Sequence, residues 1–129
     1  MSWIKKSDDS FKSTNKLIAE SLYNTSVHCS YYSCIQMALH IINNKIGMSI
    51  ADIDAGTNSK GSHNWVIGII TQSLQSSKRR EARKFNDSIQ ELKRQRVIAD
   101  YKEEQILHLK AQELRQLSYE LNIFLKTSF

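Results

Sequence analysis

Apolar residues along this chain recur at steps of three and four, the spacing that lines one face of a helix with 3.6 residues per turn. The broadest such face spans about residues 25–46, which Thr25 or Ser26 can cap and Gly47 ends. Val27, Tyr31, Cys34, Ala38, Ile41 and Lys45 form one stripe, and Tyr32, Ile35, Leu39 and Ile42 widen it. A helix apolar over more than half its circumference belongs at the centre of a bundle or at a dimer contact. Ahead of it, a helix from about Ser7 to Asn24 groups Ile4, Phe11, Ile18 and Leu22, with Trp3 as an anchor at its mouth. Residues 47–61, small and polar, read as a flexible loop. Ser62 then caps a third helix, His63 to about Ser76, carrying Trp65, Val66, Ile69, Ile70 and Leu74. Its Val66–Ile70 core has strand-like composition, but no pairing partner for a strand occurs. The fourth helix begins at Lys78 and buries Phe85, Ile89, Leu92, Arg96 and Ala99; the fifth runs from about Glu103 to Lys126. On the fifth, Leu107, Ala111, Leu114, Ser118, Leu121 and Leu125 form the stripe.

The 129 residues include no proline and only 4 glycines, so the chain has few of the residues that end helices. Together with the periodicity this predicts an all-α fold, an up-and-down bundle of about five helices in a single domain, 1–129. No run approaches the about 18 apolar residues of a membrane span. Met1 to Lys6 leads into Asp8 and Asp9 and not into a signal-peptide core, so a cytoplasmic protein without membrane attachment is expected. Cys29 and Cys34 stand roughly 140° apart around one helix and read as small apolar residues of a reducing compartment. His28 and His40, twelve apart, lack the spacing of helical metal ligands and read as satisfied histidines. His108 lies off its stripe and is expected in solvent. No metal and no cofactor is expected.

Charge changes this picture at two places. Arg96 occupies a position where the stripe calls for hydrocarbon, so its guanidinium points inward, while Arg94, about 160° around the helix, points to water. Asp100, one turn on, is the natural partner of Arg96. Such a residue is either half of a structural ion pair or a functional arginine at a cleft or subunit interface. The second place is Lys78-Arg79-Arg80-Glu81-Ala82-Arg83-Lys84, which sets cations at the positive end of a helix dipole. Stability alone does not select that arrangement. With a net charge of +5 and a pI of 9.3, Arg79, Arg80, Arg83 and Lys84, extended by Arg94, are candidate nucleic-acid contacts. The alternative is a solvated face.

Three stretches resemble the HEPN family of helical nucleotide-binding domains. Ser30-Tyr31-Tyr32-Ser33 is similar to the S-Y-Y-A opening of its second helix, Lys60-Gly61-Ser62-His63 to the K-x-S-H of its third, and Arg96-Val97-Ile98-Ala99-Asp100-Tyr101 to an R-x-x-A-D-Y element. The resemblance covers about Ser7 to Lys126. It implies a homodimer, and a place in a bacterial toxin–antitoxin or antiviral-defence module beside a nucleotidyltransferase-type partner. Many members are metal-independent endoribonucleases whose R-x(4–6)-H motif supplies a phosphate-binding arginine and a catalytic histidine. Counting four to six residues past Arg96 lands on Tyr101, Lys102 and Glu103, so that histidine is missing. The resemblance therefore implies a nucleotide-, RNA- or partner-binding protein lacking ribonuclease activity. The competing readings are a ribonuclease with a degenerate site, using Arg96, Asp100 and Tyr101, and an interaction scaffold without a nucleic-acid role.

Overall fold

A computed structural model describes residues 2–58 and 60–129. Met1, in the segment read against a signal peptide, and Ser59, in the expected loop, lie outside the described residues. The fold is an all-helical, up-and-down bundle: α1 (Trp3–Ala19), α2 (Tyr23–Ile41), α3 (Ile50–Thr57), α4 (Ser62–Gln75), α5 (Arg79–Tyr101) and α6 (His108–Ser128). No described helix is long and apolar enough to cross a membrane.

Helix α2 is the central element and packs against α1, α4, α5 and α6. Val27, Tyr31, Cys34, Ala38 and Ile41 are all buried, as the stripe requires. Lys45 is not: the helix widens into a π turn at Ile42–Ile46 before Gly47, at φ 88°, ends it, and Lys45 falls outside the inward face.

Helix α1 starts four residues earlier than expected, because Ser2 caps it through the Lys5 amide. It also stops earlier, where Ser21 adopts φ 62°. Its buried residues are Ser7 and Thr14, whereas Ile4, Phe11 and Ile18 are half-buried and Leu22 is exposed. The side chains meeting α2 are hydroxyls. Ser7 Oγ donates to the Ser33 carbonyl at 2.7 Å and Ser33 Oγ donates to the Ser7 carbonyl at 3.0 Å. Thr14 Oγ1 reaches the Ser26 carbonyl at 3.3 Å, and α6 joins through Ser118 Oγ to the Ser30 carbonyl and Asn122 Nδ2 to Ser33 Oγ. Small residues let the helices approach, and each buried hydroxyl finds an acceptor.

Two further expectations are corrected. The segment expected as a loop contains α3, capped by Ser49 Oγ accepting from the Asp52 amide at 3.1 Å. Ile53 is buried, and a Cβ at Gly56 would come within 2.1 Å of the Trp65 indole, so α3 docks on α4 through a residue with no side chain. The last helix begins at His108, not near Glu103. Asn24 holds the preceding segment in place, accepting from the Ile106 amide and donating to the Ala99 and Glu104 carbonyls. Ile106 is consequently buried and Leu107, expected on the stripe, is exposed.

Candidate functional site

On α5, Ala82, Phe85, Ile89 and Leu92 bury one face at helical spacing, and the same face carries Arg96 into the bundle one turn later. Arg96 is nine-tenths buried. Its guanidinium lies over three aromatic rings, with centroids at 5.3 Å for Tyr31, 5.7 Å for Tyr32 and 5.9 Å for Tyr101. Such cation–π contacts contribute about 0.5–2 kcal/mol each. Asp100 Oδ2 stands 3.6 Å from Nη1, beyond hydrogen-bond length. Among the described residues the guanidinium makes no hydrogen bond at all, and its Nε is sealed from solvent without a partner. The terminal nitrogens are not sealed in this way.

The carboxylate of Asp100 is nearer to another group. His28 Nδ1, from α2, lies 2.8 Å from Oδ2, and its ring packs against Tyr32 at 4.6 Å between centroids. A carboxylate on Nδ1 fixes the imidazole and leaves Nε2 for other work. The His28 side chain is 44% exposed.

A second histidine closes the opposite side. His63, in the first turn of α4, places Nδ1 3.0 Å from the Tyr31 hydroxyl, and its ring packs edge-on against Tyr32. Burial, then the charges of Arg96 and Lys93, push its pKa below the ordinary histidine value. Burial pushes the Tyr31 phenol up, so its proton is retained at neutral pH. A cation, two imidazoles and three tyrosines thus converge where α2, α4 and the end of α5 meet. Preorganised donors and rings of this kind suit an anion next to a planar group.

Of the residues singled out in the sequence, the structure brings Arg96, Asp100 and Tyr101 together. Arg96 is inward, Asp100 lies at the exposed edge one turn on, and Tyr101 is 73% exposed at the helix end. Arg94 faces solvent and is paired with Glu91. Arg79, Arg80, Arg83 and Lys84 are exposed but lie twelve to seventeen residues before Arg96, about 18–26 Å along the helix axis. They are also divided. Arg79 and Arg83 flank a cleft of about 500 Å³ shared with Thr71 and Gln75 of α4, while Lys84 borders a separate one beside Leu117 and Phe124 of α6. The basic cluster and the Arg96 site are therefore separate places on the bundle.

His28 and His63 were not singled out for this site. His28, Tyr31 and Tyr32 share one helical face by their spacing, a signal available from the sequence. The approach of His63 depends on how α4 crosses α2, which no local spacing reveals.

A third cavity-forming region adjoins the site. Tyr32 and His63 form one wall of a separate cavity of about 340 Å³ that opens between α1, α2, α3 and α4. No protein-family model, no curated protein and no solved structure matches this chain.

Proposed function

We propose that this protein is a helical module that binds a phosphate-bearing ligand, RNA or a nucleotide, through Arg96, as its resemblance to HEPN domains implies. The observation that carries the reading is Arg96: a nine-tenths buried residue ringed by tyrosines, its Nε unpartnered and its nearest carboxylate, Asp100, at 3.6 Å. Burying a cation without acceptors is unfavourable, and a phosphate supplies both the opposite charge and the acceptors. Tyr101 offers an open ring for a base beside that phosphate. In this reading the chain forms a homodimer and serves a toxin–antitoxin or defence module with a nucleotidyltransferase-type partner. Arg79, Arg80, Arg83 and Lys84 supply distant electrostatic attraction.

Fluorescence anisotropy with a short single-stranded RNA at low salt tests it. Arg96→Ala is expected to weaken binding by about tenfold or more, the effect of losing charged hydrogen bonds. Substituting the 79–84 cluster should chiefly reduce the salt dependence. Undiminished binding by Arg96→Ala would refute the site and leave the scaffold reading.

A second reading, a metal-independent endoribonuclease, is favoured by one observation: His28 is held by Asp100 at 2.8 Å, beside Arg96. A histidine so oriented can serve as general base even though it comes from α2 and not from the motif on α5. Nε2 would take the 2'-hydroxyl proton, the 2'-oxygen would attack phosphorus, and the 5'-oxygen would leave with a proton from water, giving a 2',3'-cyclic phosphate, after which His28 returns its proton to solvent. Cleavage in the presence of a chelator that is lost in His28→Ala while RNA binding persists is its signature. Intact RNA after incubation with wild type rejects it.

A further inference from the structure

The cavity between α1, α2, α3 and α4 shares the Tyr32 and His63 wall with the Arg96 site but includes neither Arg96 nor Asp100. Its volume of about 340 Å³ lies at the small end of the range for ligand sites, about 300–1,000 Å³. Ile35 and Leu39 of α2, Ile53 of α3 and Val66 of α4 give it an apolar wall, and Gln36, Thr57, Ser62 and His63 add neutral polar groups. The lining carries just two ionised side chains, of opposite sign, on different walls. Lys6 projects from α1 and Asp54 from α3, both on exposed residues. Neighbouring Lys5 is committed to Asp9 at 2.7 Å, whereas neither Lys6 nor Asp54 has a salt-bridge partner among the described residues.

This combination selects a ligand class. The two charges cancel, so the lining has no net positive charge to hold a phosphate. A purely apolar molecule would leave both charges unused, and a simple acid or amine would use one and face the other. A small molecule with an apolar body and both a carboxylate and an ammonium group uses both charges and the apolar wall. From this lining we infer that the cavity binds a free apolar α-amino acid, its carboxylate toward Lys6, its ammonium toward Asp54 and its side chain among Ile35, Leu39, Ile53 and Val66.

The inference is independent of the phosphate reading, because it uses neither Arg96 nor Asp100. Amide NMR titrations of the full chain with L-phenylalanine, 3-phenylpropionate and phenethylamine test it. The two analogues each lack one of the charges. Phenylalanine should shift resonances of α2, α3 and α4 around the cavity and bind about fivefold or more tightly than either analogue. Asp54→Asn should abolish its advantage over 3-phenylpropionate, and Lys6→Gln its advantage over phenethylamine. Both substitutions are at exposed positions and should leave the fold intact. Absence of shifts at about 10 mM ligand, equal binding of all three compounds, or unchanged discrimination in the two variants would each overturn the proposal.

Discussion

Polar groups are buried at two places in this bundle, and they are treated in opposite ways. Between α1, α2 and α6, Ser7, Thr14, Ser33 and Ser118 each donate to a backbone carbonyl, and Asn122 donates to Ser33, with only its Oδ1 left unpartnered among the described residues of this contact. At the far end of α5, Arg96 is buried less completely, at 9% exposure, and has no hydrogen bond among the described residues. Burial of a hydroxyl with its partner is nearly neutral in free energy and fixes how two helices sit together. Burial of a guanidinium without one is unfavourable by itself. The first arrangement explains itself as structure. The second is what the proposed phosphate ligand would complete.

The largest stability effect should therefore fall on the hydroxyl-bonded region. Ser33→Ala removes the acceptor of Asn122 Nδ2 and the donor to Ser7, and should destabilise the fold by about 1–3 kcal/mol in chemical denaturation. RNA affinity should not change. Arg96→Met should give the reverse result. Methionine keeps the volume and the aromatic contacts, and replacing an unsatisfied buried cation by hydrocarbon should alter stability by about 1 kcal/mol or raise it. Ligand binding should fail. A loss of about 3–5 kcal/mol would instead identify Arg96 as half of a structural ion pair with Asp100.

The same contrast explains what could be read from the sequence. The long faces of α2, α5 and α6 repeat often enough for periodicity to place them, and the break in the α5 repeat at Arg96 exposed the site. Asp100 followed from the length of one helical turn. On α1 the hydrophobic pattern chose Ile4, Phe11, Ile18 and Leu22, because a hydroxyl-lined contact has no apolar signature. Helix α3 escaped notice for another reason: in eight residues its inward side reduces to Ile53 and Gly56, and Gly56 acquires meaning only against Trp65. His28 and His63 enter the Arg96 site from two other helices. Their roles come from the crossing of α2 and α4, which is a property of packing and not of any one segment.

The smallest effect is the most direct probe of the unsatisfied cation. The fold disfavours protonation of His63, first through burial and then through the positive charge of Arg96. Relative to the ordinary value of 6.5, its folded-state pKa is lowered, so the unfolded chain binds this proton more readily. The stability linked to neutral His63 is complete above 6.5 and is lost as the pH falls through the lowered folded value. In Arg96→Met the charge is gone but the burial stays, so the His63 titration followed by NMR should move upward without regaining the ordinary value. Inorganic phosphate bound at Arg96 in the wild type should shift it in the same direction, by neutralising the same charge. If the His63 titration is the same in wild type and Arg96→Met, the guanidinium does not govern this site electrostatically, and the contrast between the two buried regions loses its functional meaning.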